Sequence, residues 1–207
     1  MSTKLTKKAG HERDVRVLLD RFVTDGDADP LEEYLLSNSN LPSPRGNIEL
    51  AAAFGDVASD FARQGQGVER LWAYCMRMTE VSADEAPVND PREFLPFCGS
   101  IGLGAIGSAS AVCFDPALIA LRPLARDPRW RMREAVCFAL QRLVVAHRDQ
   151  TLSALAGWVA GGDLLEMRAV AATVADPAIL RDTATAKTAL KLHEDILLQV
   201  LELNGRG

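Results

Sequence analysis

Between Asp115 and Val145 the apolar positions mark two helices folded back on each other. Met132, Ala135, Val136, Ala139, Leu140 and Leu143 follow i, i+3, i+4, i+7, i+8, i+11, the strongest amphipathic pattern in the chain. Just ahead, Leu118, Leu121, Leu124 and Ala125 mark a second stripe, and Pro123 is expected to bend its helix. Similar stripes occur on both sides. Val15, Leu18, Leu19, Phe22 and Val23 form the first; Leu50, Phe54, Val57, Ala58 and Phe61 the next. Val68, Leu71, Trp72, Cys75 and Met76 follow, which places Trp72 in a core. Leu152, Leu155, Trp158 and Val159, then Met167, Val170, Ala171 and Val174, continue the series. Leu190, Ile196, Leu197, Val200 and Leu201 close it. No segment alternates with the period of two that a half-buried strand requires.

Between these stripes the chain is punctuated by Asp-Pro. Five of its ten prolines follow an aspartate, at Pro30, Pro91, Pro116, Pro128 and Pro177. Aspartate accepts a bond from an orphan helix N–H, and proline suits the first helical position, so each pair predicts a helix start. This is a structural use and argues against reading those aspartates as catalytic or as metal ligands. Residues 1–10 are expected to be a disordered polar tail, with the first helix starting at His11 and ending at Gly26. A short helix follows from Asp29-Pro30 to Leu36. Ser37–Gly46 reads as a loop, Asn47 as a cap, Gly65 and Gly67 as a break, and Val81–Asn89 as a second, acidic loop. Asp90-Pro91 restarts a helix, with Glu93 placed to complete a capping box, and the segment runs to about Ala111. Asn204-Gly205 is expected to stop the last helix.

The central unit is repeated. Leu118 to Leu152 is a shift of 34 positions, and Met132 to Met167 a shift of 35, so the turn carries one extra residue. Self-similarity at that period predicts stacked helical hairpins. The expected fold is all-α, a right-handed α-solenoid of about five hairpins over residues 11–207 as one domain. Its best-formed repeats are 115–146 and 148–176.

Pro123, Asp127, Met132 and Arg133 resemble the pattern of HEAT repeats: a proline in the first helix, an aspartate in the tight turn, an aliphatic–basic pair early in the second. The resemblance implies that Asp127 and Arg133 tie neighbouring units together, with Arg168 in the second unit. There Gly157 stands at the proline position and Asp163 is displaced by one residue.

Composition narrows the chemistry. Apolar residues make up 48% of the chain and aromatics only 6%, a mix that favours close-packed helices. The net charge of −5 opposes phosphate backbones and anionic membranes unless a basic patch is local. The four cysteines show no C-x-x-C pair and read as buried thiols. The N-terminus has no apolar core of a secretory signal, and no run approaches a membrane span. The expected location is the cytoplasm.

Three features could carry function. Gly102-Leu103-Gly104-Ala105-Ile106-Gly107 matches the dinucleotide fingerprint G-x-G-x-x-G, but it lacks a preceding strand, so a tightly packed glycine-rich helix is favoured. Arg122, Arg126, Arg129, Arg131 and Arg133 surround Trp130 and could form an anion site, or a set of inter-repeat salt bridges. In HEAT-like alkylpurine DNA glycosylases, tryptophans and arginines grip damaged DNA around an aspartate. Trp130, Arg131, Trp158 and Asp163 supply those residue types here. The third feature is the concave helix layer, where Phe138 and Arg142 would face outward and Phe138 could anchor a partner. His11, His147 and His193 are isolated, no metal-spaced group or nucleophile motif occurs, and Glu32-Glu33 do not share a helix face. The expectation is a protein- or peptide-binding scaffold without catalysis, cofactor or metal. DNA binding or repair is the alternative.

Overall fold

The computed structural model describes residues 2–204, and every regular element among them is helical. The α-helices are α1 (Ser2–Asp25), α2 (Asp29–Ser37), α3 (Ile48–Arg63), α4 (Val68–Thr79), α5 (Phe94–Ala109), α6 (Ala111–Leu124), α7 (Trp130–Ala146), α8 (Arg148–Ala160), α9 (Leu164–Val174) and α10 (Thr183–Asn204). Single 3-10 turns cover Pro91–Glu93 and Ile179–Arg181. α1 packs on α3, α3 on α5, α5 on α7 and α7 on α9, while α10 packs on α8 and α9.

α5 is the hub, touching α3, α4, α6 and α7. Every residue from Phe94 to Gly107 is buried. Its glycines explain how four neighbours fit around one helix. A Cβ on Gly99 would lie 2.8 Å from the Cys75 carbonyl oxygen of α4, and one on Gly102 2.5 Å from Cys75 Sγ. On Gly104 it would lie 2.6 Å from Ala139 Cα of α7, and on Gly107 2.6 Å from Ala117 Cβ of α6. Each glycine costs about 1 kcal/mol of helix propensity, so this helix owes its existence to tertiary packing. The G-x-G-x-x-G stretch is thus the inside of a helix, with no strand before it and no helix N-terminus at it.

Several predicted boundaries hold. Asn47 caps α3 by accepting from Leu50 N at 3.0 Å, and Asp163 caps α9 by accepting from Leu165 N at 2.9 Å. Asp90, Asp127 and Asp176 each accept a backbone N–H two residues on. Pro91 begins its helical turn, whereas after Asp127-Pro128 and Asp176-Pro177 the helical residues start two positions later, at Trp130 and Ile179. Pro30 also lies at a helix start, although there Asp27 accepts from Asp29 N.

Other boundaries differ. Asp115-Pro116 starts nothing, because α6 already begins at Ala111, after Ser110 turns extended (φ −129°, ψ 115°). Pro116 takes the donor from the Val112 carbonyl, and Val112 is exposed enough for water to replace it. Pro123 lies in the last turn of α6, one residue before its end at Leu124. α1 starts at Ser2, ahead of the expected His11, since Lys8 bonds Asp56 of α3 and lies 3.1 Å from Glu12. Trp72 is half-buried against the core, and Tyr74 is buried in its place. On α10, Ile196 and Val200 pack inward as expected, but Leu190, Leu197 and Leu201 are exposed. The Asn204-Gly205 stop falls partly outside the described residues.

All four cysteines are free thiols. Burial pushes the Cys75 and Cys98 thiols well above their ordinary range and Cys137 up to about 11. Cys113 is half-buried. In native protein a thiol reagent is therefore expected to label Cys113 first. The other three should lag by about 100-fold or more, reacting only through unfolding. Peptide mass mapping after brief labelling checks this order; early labelling of Cys75 would contradict it.

Candidate functional site

Four of the five arginines around Trp130 fall into three groups, each already occupied. Arg129 is 2% exposed. It pairs with Asp127 at 2.7 Å and donates to the carbonyls of Val81 (2.9 Å), Ser82 (3.2 Å) and Ala86 (3.2 Å). The loop after α4 makes only a few turn bonds of its own, such as Ala86 N to Ser82 O, and this guanidinium adds the donors its carbonyls lack. Arg131 is buried too. Its Nη1 lies 2.9 Å from Glu93 Oε2, and its Nη2 donates to Ser43 O at 2.6 Å and Asn89 Oδ1 at 2.8 Å. One side chain thus joins α7, the start of α5 and both long loops. Arg122 and Arg126 converge on the buried Glu166 of α9, at 2.8 and 2.5 Å.

The residues expected to tie units together divide differently. Arg133 donates to the Asp127 and Pro128 carbonyls, closing its own turn, and the Asp127 carboxylate is taken by Arg129. The links between units are Arg168 to Glu134, which joins α9 to α7, and Glu166 to Arg122 and Arg126, which joins α9 to α6. The resemblance placed that role on Asp127, Arg133 and Arg168, and of these Arg168 reaches another helix. Here Arg129, two residues after the aspartate, reaches it first.

Of the residues set apart in the sequence, Trp130 and Phe138 are brought together. They lie two turns apart on α7 and line one cavity of about 280 Å³. Its other walls are Phe94 and Phe97 of α5, Leu41 and Pro44 of the first loop, and Ile48 of α3. Phe97 meets Phe94 stacked at 5.9 Å and Phe138 edge-on at 6.4 Å, so the aromatic wall is rigid. Trp130, 43% exposed, stands over the Arg131 guanidinium at 4.5 Å to the ring. Burial of Arg131 therefore fixes the indole orientation.

Through Ile48 and Phe138 this cavity adjoins a wider groove of about 650 Å³ between α3 and α7, floored by Ile101 and Ser108 of α5. Arg142 spans the groove. Its Nη1 lies 2.7 Å from Asp56 Oδ1, and its Nη2 donates to Ala52 O at 3.1 Å. Burial raises the Asp56 pKa, but Lys8 and Arg142 outweigh it and hold the carboxyl below its usual range. The groove is mixed in charge: Asp60 pairs with Arg16 and Arg63 beside it.

Trp158 and Asp163 do not join this site. Trp158 is buried in the core, with the Arg122 guanidinium 5.9 Å from its ring, and Asp163 is engaged in capping. Trp130, Arg131, Trp158 and Asp163 thus form no common surface. Among the described residues no group of three or more His, Cys, Asp or Glu is placed to hold a metal ion. No helix there is long and apolar enough to cross a membrane.

The sequence reading missed Glu93, Phe97 and Ile48. Glu93 sat where a capping box predicts a helix-end role; it does accept from Asn89 N, but its main partner is Arg131. Ile48 lies off the stripe of α3 and gave no periodic signal. Comparison with family profiles, curated proteins and solved structures finds no match to this chain.

Proposed function

We propose that the chain is a non-catalytic protein-interaction module of HEAT-like, α-solenoid type that seats a peptide segment in the groove between α3 and α7. The observation that carries this is the aromatic cavity of Trp130, Phe138 and Phe97, open at one end of the groove. A preformed apolar pocket beside a longer polar channel suits one large apolar anchor residue on an otherwise polar segment. The row α1, α3, α5, α7, α9 is what stacked hairpins would produce, and it supports the solenoid reading. Buried free thiols suit a reducing compartment such as the cytoplasm. A DNA-binding reading draws no support from the arginines, since the two flanking Trp130 are buried and bonded within the chain.

The test is selection of binders from a displayed peptide library against the purified chain, followed by titration on variants. Trp130→Ala and Phe138→Ala are each expected to weaken the selected peptides about 10- to 100-fold, while the fold persists. Peptides that bind both variants as tightly as the parent would remove the groove from consideration. Binding confined to duplex DNA, steeply weakened by salt, would favour the other reading.

A further inference from the structure

α10 is apolar on two faces, and the body uses one of them. Ala189, Leu192, Ile196 and Val200 pack against the rest of the chain. About a third of a turn round lie Leu190, Leu197 and Leu201, spaced i, i+7, i+11, with Leu198 beside them. These four are 67%, 58%, 57% and 57% exposed. Other large exposed apolar side chains are more scattered. Together the four leucines present roughly 400 Å² of apolar surface on one side of a single helix, comparable to the largest patch on a typical soluble monomer, which is often functional.

We infer that this face docks a second copy of the same chain, with the two α10 helices antiparallel about a dyad between Glu194 and Leu197. Pairing Leu190 of one copy with Leu201 of the other places Leu197 one turn or less from the dyad, beside its counterpart and level with Glu194, and closes the patch on itself. Charge sets the direction. The first half of the helix carries Lys187 and Lys191, and the second half Glu194, Asp195 and Glu202. A parallel pair would set every charge beside its own copy; the antiparallel pair brings Glu202 of one copy between Lys187 and Lys191 of the other, while near the dyad Lys191 of each copy already offsets its own Asp195. The same acidic residues oppose docking on an anionic lipid surface.

Area sets the strength. Two leucine stripes bury about 800 Å², and the aliphatic stems of Lys187, Lys191 and Glu194 extend this toward the roughly 1,200 Å² of a specific interface. Lys191 is held 2.8 Å from Asp195, so one of these stems is already ordered. The expected dimerisation constant is on the order of micromolar. The groove between α3 and α7 does not involve α10, so this docking stands or falls separately from peptide binding.

Sedimentation velocity on the full chain, from about 1 to 100 times that constant, tests the inference. The expected result is a mass that rises with concentration to twice the monomer. Leu197→Glu, and independently Leu190→Lys, should weaken association about 100-fold without changing circular dichroism or the melting temperature, since both side chains are more than half exposed. Under mild oxidation Glu194→Cys should cross-link copy to copy and Lys187→Cys should not. A monomer at every concentration would overturn the inference. So would equal cross-linking at position 187, or a monomer that floats with phosphatidylcholine–phosphatidylglycerol vesicles.

Discussion

Glu93→Ala is expected to cost about 3–5 kcal/mol of folding stability, more than removing any exposed carboxylate in the chain. The carboxylate is fully buried. Its Oε2 accepts from Arg131 Nη1 and from Asn89 N, both at 2.9 Å. Removing it strands a guanidinium that is only 5% exposed, with Ser43 O and Asn89 Oδ1 as its remaining partners. Two loops then lose their common attachment, and the wall beneath Trp130 loosens. Arg92→Ala, by contrast, breaks an exposed pair with Asp90 while leaving the Asp90 capping bond to the residue 92 backbone N–H, and should cost well under 1 kcal/mol. Replacing both buried partners, as in Glu93→Leu with Arg131→Met, should recover much of the loss, because no lone charge remains. Urea denaturation midpoints separate these outcomes. A Glu93→Ala variant within 1 kcal/mol of the parent would mean the pair is not the fastener described.

The second large effect lies in α5. Gly104→Ala is expected to destabilise by about 2–4 kcal/mol. Its new methyl would sit 2.6 Å from Ala139 Cα and 2.7 Å from Ala139 O, backbone atoms that move only if α7 moves. Gly157→Ala is the internal control. It too is helical, in α8, but nothing lies within 4 Å of its added Cβ. There the gain in helix propensity should stabilise by up to about 1 kcal/mol. Thermal unfolding of the two variants should therefore shift in opposite directions. Equal shifts would show that glycine count, not close approach, governs α5.

What the sequence made legible follows from what is local. Helix faces, caps and turns depend on residues a few positions apart. The α7 stripe, the Asn47 cap and the glycine-rich helix were accordingly readable. Trp130 and Phe138 were also singled out, as an exposed aromatic among arginines and an outward residue on a strong helix. The fate of the arginines was not readable. Arg129 and Arg131 look alike in sequence, each beside Trp130, and both reach carbonyls more than 40 positions away. No spacing rule encodes that. α10 failed for another reason: its pattern holds two apolar faces, and periodicity alone merged them into one stripe.

The enclosure of α5 has a consequence for how the chain is made. Its apolar, glycine-rich surface is covered by α3 and α4, which precede it, and by α6 and α7, which follow. During translation, at about 5–20 residues per second, α5 leaves the ribosome seconds before the helix that covers Gly104 exists. For that interval the least polar segment of the protein is half sheathed. The nascent chain then resembles a hinge awaiting its second leaf more than a stack growing unit by unit. Chaperone engagement, if it occurs, belongs to that window.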